Sequence, residues 1–320
     1  LDVCKQERYS PYEATCNAMI KYALSKSPVD YEMVAAYLDK LDPTLLSKEP
    51  FVQEGRKEGE SKFERWYRLT VRSAYETKNY KKCVEMANQA MAMNIKWHYR
   101  NAYWIRIYRA KANLALGNYE ECEHEYLTLQ SQFFDSDYYR TLYQIQAGQE
   151  KYREANVYLL YDVYISGYDK NQKSLYNMLL NAAKIAGHDK AVSLLEALIA
   201  KLNQEAGKEA TVEEAYANMD SGEIYDRMID EVTRHLDLYV ERKTGKVVHY
   251  NEEKELGSIA VGGQPSIFFR QADFIYDEEV RRYERVDFTE MKTYDRKKQT
   301  ITSKAVLIME SEEEDFNFGY

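Results

Sequence analysis

No apolar run in the chain approaches the ~20 residues needed to cross a bilayer as a helix. The longest, such as Ala197–Ala200 and Ala305–Met309, are the size of core segments. Cysteine is scarce as well. Four in 320 residues do not make a disulfide framework, and Cys83 and Cys122 are expected to be packed free thiols, while Cys4 and Cys16 could pair only in an oxidising compartment. An excess of basic charge is missing: 44 Lys and Arg stand against 53 Asp and Glu, for a net charge of −9. General nucleic-acid binding, which needs a basic footprint, is therefore not expected.

Catalytic signatures are also lacking. There is no G-x-S-x-G, no P-loop and no H-E-x-x-H. Gly257 and Gly262-Gly263 sit in a β-rich context with no following helix, so they are not a dinucleotide fingerprint. The five histidines, His98, His124, His188, His235 and His249, show no metal spacing. Cys122-Glu123-His124-Glu125 cannot converge on one ion, because consecutive helical residues point about 100° apart. The reading is a non-enzyme with no cofactor and no metal.

What the chain has is tyrosine: 30, against 10 Phe and 3 Trp. Tyrosine packs as an aromatic and keeps a wet hydroxyl, which suits thin architectures in which few residues are fully buried. Hydrophobic residues make up 45% and charged residues 30%, enough apolar material for a sizeable core.

Helical periodicity fills the first two-thirds. Ser10-Pro11 opens a helix over 10–26, and Asp30 caps a second to Leu41. A polar connection follows over 44–60. Helices are then expected over 61–76 and 80–93, 98–116 and 119–133, Asp137 to about Gly148 and Tyr152–Ile165, and 174–186 and 189–202. Ser136-Asp137 is the expected cap of the seventh. The second helices begin DYEMV, NYKKC, NYEEC, KYREA and HDKAV. The second residues of these segments, Tyr31, Tyr80, Tyr119, Tyr152 and Asp189, are spaced by 49, 39, 33 and 37 residues. Periods of this size are those of helix-pair solenoids.

LALGNYEEC with its following helix, and TKNYKKCVEMANQAM, resemble the turn and second helix of the tetratricopeptide repeat (TPR). The resemblance covers about residues 10–203. The sequence departs from the family at several points: Gly stands at only two turns, Gly117 and Gly187, Trp104 comes two residues early, and Arg109 stands where an apolar residue is usual. The resemblance implies a mostly α fold, a TPR-like α-α superhelix of about five helix pairs with a groove for a peptide or protein.

After Gly207 the pattern changes. Short capping helices are expected over 211–220 and 221–233. A hairpin Leu236–Val240 and Lys246–Tyr250 would turn at Lys243-Thr244-Gly245. Further strands are expected at Ser258–Val261, Ile267–Tyr276, Arg282–Thr293 and Thr300–Met309, with Ile267-Phe268-Phe269 and Phe274-Ile275-Tyr276 as core. The expected domains are 1–207 helical repeats, 208–233 linker or capping helices, a small antiparallel β-meander at 234–310, and the acidic tail 311–320. The tail could bind a basic groove or fold back on the repeats, an intramolecular contact with the C-terminal region.

The most distinctive stretch is KWHYRNAYWIRIYRAK. Its Trp97, Arg100, Tyr103, Trp104, Arg106, Tyr108 and Arg109 combine the residue types of interaction hot spots and could hold an acidic peptide or phosphate, although packing between repeats competes for the same side chains. The expected function is a non-catalytic protein–protein interaction scaffold with a protein or peptide partner. The alternatives are a ligand-binding or enzymatic β-domain for which the repeats are a docking arm, and a structural subunit of a larger assembly. A soluble chain, either cytoplasmic or exported, is expected. Leu1-Asp2-Val3-Cys4 has the Leu-to-Cys spacing of a lipoprotein processing site, but Asp2 and Val3 do not suit one.

Overall fold

The computed structural model describes residues 4–7, 10–52, 57–130, 137–276 and 280–311. Among these, eleven α-helices precede five strands. The chain is mostly helical with a β-rich C-terminal region. No described helix is long and apolar enough to cross a membrane. Two compact units divide between residues 132 and 133, so the C-terminal helices belong with the strands, unlike the sequence-based division at 207. The expected cap Ser136 and the tail beyond Ser311 lie outside the described residues.

The first unit holds α1 (Pro11–Ser25), α2 (Tyr31–Leu38), α3 (Lys62–Glu76), α4 (Tyr80–Ala92), α5 (Asn101–Leu116) and α6 (Tyr119–Leu129). Each packs on the next, and α3 also packs on α5. The starts of α1 to α4 fall within a residue of where the sequence put them because their signals are local, whereas α5 begins at Asn101, three residues after the expected 98. Side-chain oxygens of Ser10, Asp30, Ser61 and Asn79 accept from the backbone N–H of Tyr12, Met33, Glu64 and Lys82. Cys16, Val34, Val71, Cys83, Ala87, Ile105 and Ala112 lie in one core. Cys83 and Cys122 are fully buried free thiols, and burial pushes both up to about 12.

One turn recurs in both units. Lys78, Gly117, Glu150 and Gly187 all take left-handed backbone conformations. The next residue, Asn79, Asn118, Lys151 or His188, donates its N–H to a carbonyl five positions back, that of Ala74, Asn113, Gln146 or Ala183. Its φ lies between −82° and −92° and its ψ between 64° and 76°. The second helix then begins at once. The same backbone is thus built from Gly at two turns and from Lys and Glu at the other two, which is why glycine alone does not reveal all four.

The second unit holds α7 (Asp137–Ala147), α8 (Tyr152–Ser166), α9 (Lys173–Ala186), α10 (Asp189–Glu205) and α11 (Ser221–Arg234). Asp220 and Glu223 close a reciprocal capping box at the start of α11. A single 3₁₀ turn at Glu214–Tyr216 stands where a short helix was expected. The strands are β1 (Lys243–Asn251), β2 (Leu256–Ala260), β3 (Ile267–Arg270), β4 (Arg285–Asp295) and β5 (Thr300–Glu310), in the order β1-β2-β3-β5-β4, closed into a barrel by β4 on β1.

Two expectations about the β-region are corrected. The sheet is not a purely antiparallel meander, because β3 pairs parallel with β5, with Phe268 opposite Lys304. Nor is there a hairpin at 243–245. Leu236–Leu238 forms a 3₁₀ turn, and β1 runs straight through Lys243-Thr244-Gly245. Gly245 serves close approach instead of a turn: a Cβ there would lie 2.4 Å from Ile259 Cγ2 and 2.9 Å from the Ala260 carbonyl. Val247, Ile259, Phe269, Val286, Phe288, Ala305 and Ile308 fill the barrel. Phe268 points outward, since alternate strand residues face opposite sides, and Tyr276, beyond the end of β3, is exposed as well.

Opposite substitutions at the shared turn should change stability with opposite signs. Gly117→Ala is expected to destabilise, and Lys78→Gly to stabilise, each by about 1 kcal/mol, read from urea unfolding of the full chain. A second expectation concerns alkaline pH. Burial raises the hydroxyls of Tyr138, Tyr161, Tyr225 and Tyr239 well above the ordinary tyrosine range. Above about pH 10 the unfolded chain releases protons that the folded chain keeps, so stability falls as pH rises. Ultraviolet titration should show one class of tyrosines ionising normally and another only on unfolding. A single titration near pH 10 with the fold intact would contradict this.

Candidate functional site

The seven residues singled out on and before α5 do not share one role. Arg106 and Arg109 both bind the carboxylate of Glu125 on α6, which is buried. Arg106 also donates to Thr128 Oγ1 at 2.8 Å, and Arg109 to Asn88 Oδ1 at 2.8 Å. These two guanidinium groups tie α5 to α4 and α6. Trp97 and Tyr108 pack against the core of the first unit. Arg100 takes the left-handed position that starts α5. Tyr103 stands half-buried, edge-on to Trp104 at 5.2 Å. Trp104 is exposed, at 46%, and Arg100 is exposed as well.

Trp104, Tyr108, Lys111 and Ala115 follow helical spacing, so they form one stripe on α5. Tyr108 continues the stripe onto neighbouring helices. Its ring lies 5.3 Å from that of Tyr75 on α3, and Tyr75 lies 5.9 Å from Tyr80 on α4. The guanidinium of Arg72, one turn before Tyr75, sits 5.3 Å from the centre of Tyr31 on α2. Arg72 Nε lies 3.7 Å from Glu76, an ion-pair distance without a hydrogen bond. Burial pushes the Tyr108 hydroxyl up, Arg72 opposes this, and Glu76, Tyr31 and Tyr75 add to it. The result is a half-buried ladder of tyrosines across α2, α3, α4 and α5, with one guanidinium in it and Trp104 at its edge. Sequence reading found Trp104 and Tyr108 but missed Tyr31, Arg72 and Tyr75.

In the second unit a cavity of about 310 Å³ opens between α8 and β4, lined by residues including Arg153, Glu154, Tyr158, Lys243, Glu290 and Lys292. Lys243 and Glu290 pair at 2.7 Å. Beside it lies a buried junction. Lys304 Nζ is 2.6 Å from Asp273 Oδ1 and 3.0 Å from the Tyr161 hydroxyl, and that hydroxyl donates to Asp273 at 2.7 Å. Burial lowers the Lys304 ammonium and Asp273 partly restores it.

The fold also gathers His188, Glu231 and His235. Sequence inspection found no metal spacing because it looked for His with His or Cys. The Glu231-x-x-x-His235 spacing at the end of α11 is the one local signal, and His188 arrives from the α9–α10 turn. His98 sits elsewhere, in the first unit. Its Nδ1 is 2.7 Å from the fully buried Glu64, which also accepts from Asn101 Nδ2.

No family model, curated protein or solved structure matches this chain.

Stability measurements should separate the surface aromatics from the packed ones. Trp104→Ala is expected to cost less than about 0.5 kcal/mol, and Tyr108→Ala several times more, on urea unfolding. Equal costs would mean that Trp104 is a packing residue.

Proposed function

We propose that the chain is a non-catalytic, TPR-like scaffold that binds a peptide or protein on the tyrosine ladder of its first unit. The observation that carries this reading is the continuity of Tyr31, Arg72, Tyr75 and Tyr108 across successive helices, with Trp104 exposed beside them. Tyr, Trp and Arg are the side chains enriched at the hot spots of interfaces, where the aromatics bury large area with few rotatable bonds. The turn repeated at Lys78, Gly117, Glu150 and Gly187 supports a helix-pair repeat as the architecture. Such repeats present broad surfaces instead of enclosed chambers. Arg106 and Arg109, bound to Glu125, hold α5 in place instead of contacting the partner.

The cavity beside β4 favours a second reading, in which the second unit holds a small polar ligand between Arg153, Lys243 and Lys292. Full-length variants discriminate the two. In pull-downs from the source organism, the partner recovered with the unaltered chain should be lost with Trp104→Ala or Arg72→Ala and retained with Lys292→Ala. Retention in the first two variants and loss in the third would favour the second reading.

A further inference from the structure

His188, Glu231 and His235 place one ligand atom each within 4.8 Å of one another. His188 comes from the turn before α10, Glu231 lies in the last turn of α11, and His235 caps the C-terminal end of that helix. Glu231 Oε1 is 3.2 Å from His188 Nε2 and 3.5 Å from His235 Nδ1. In a tetrahedral zinc site, with metal–ligand bonds of about 2.0–2.2 Å, neighbouring ligand atoms stand about 3.3–3.5 Å apart. We propose that this trio is a binding site for one divalent transition-metal ion of the zinc type, with a solvent-facing fourth position. An N₂O donor set of two imidazoles and a carboxylate suits zinc and its neighbours over magnesium or calcium.

The surroundings support the ligand roles. His188 is buried, and its Nδ1 lies 2.9 Å from the hydroxyl of the fully buried Tyr239. A phenol hydroxyl can donate or accept. The ring can therefore offer Nε2–H to Glu231 when metal-free and the Nε2 lone pair to an ion, keeping a partner at Nδ1 in both states. This is the orienting bond typical of metal-ligating histidines. The His235 ring stands edge-on to that of His188 with centroids 4.8 Å apart, and its side chain is 45% exposed, which gives an ion its way in. His235 Nδ1 also lies 3.0 Å from the Glu231 carbonyl oxygen. For Nδ1 to bind the ion, the ring takes its other neutral tautomer, with the proton on Nε2.

Two cations face the same carboxylate. Lys190 Nζ is 2.5 Å and Arg234 3.6 Å from Oε2, the oxygen turned away from the histidines. Both side chains are mostly exposed and free to withdraw.

Calorimetric titration of the full chain with zinc chloride tests the site. One ion is expected to bind per chain. His235→Ala, at a position exposed enough to leave the fold intact, should weaken binding by at least about ten-fold, the scale on which metal sites respond to altered ligation. Lys190→Ala should tighten it, by removing the competing ammonium. With cobalt(II) in place of zinc, the visible bands should be those of a nitrogen–oxygen tetrahedral site, without a thiolate charge-transfer band. The proposal is overturned by no binding tighter than about 1 mM, by unchanged affinity in His235→Ala, or by a thiolate band that assigns the ion to a cysteine.

Discussion

A carboxylate taken out of water must be given partners, and both units are arranged around that requirement. Glu64, Glu125, Asp162, Glu231 and Asp273 are all buried. Glu64 is met by His98 and Asn101, and Glu125 by Arg106 and Arg109. Asp162 is met by Arg140, Glu231 by His188 and Lys190, and Asp273 by Tyr161 and Lys304. In each case a partner comes from another helix, loop or strand. Desolvating such a group alone would cost several kcal/mol. The acids therefore specify which elements lie side by side, while the apolar residues supply the driving force without choosing neighbours so sharply.

The tyrosines do the complementary work. Their rings fill space between helices, and their hydroxyls reach polar groups at the margins. Tyr164 meets Thr233, Tyr168 meets Ser221, and Tyr176 meets the backbone of Asp169. Phenylalanine could pack in these places but would leave those groups without the bond. On the first unit the same residue type makes the ladder from Tyr31 to Tyr108, where the rings are only half covered. Packing and the proposed recognition surface thus draw on one side chain, and burial separates the two settings.

That dual use explains what could be read from the sequence. Helix starts were legible because Ser10, Asp30, Ser61 and Asn79 act within a few residues of themselves. The β-rich C-terminal region was legible from its alternation. The course of β1 was misread because Gly245 has two possible uses, turn and close approach, and the sequence does not distinguish them. The parallel pairing of β3 with β5 depends on barrel closure, which no local pattern announces. Arg106 and Arg109 carried the composition of a binding site, but their partner Glu125 lies on the next helix. Lys304 could not be matched in advance with Tyr161, 143 positions away, nor His188 with Glu231, 43 positions away.

If buried acids fix the neighbours, the junction of α8 with the barrel is the place to measure it. Urea unfolding would compare Lys304→Ala, Asp273→Ala and the apolar pair Lys304→Met with Asp273→Leu. The account predicts that Lys304→Ala, which strands Asp273, costs about 3–5 kcal/mol, and that the apolar pair recovers most of that loss. A Lys304→Ala chain as stable as the unaltered one would contradict it.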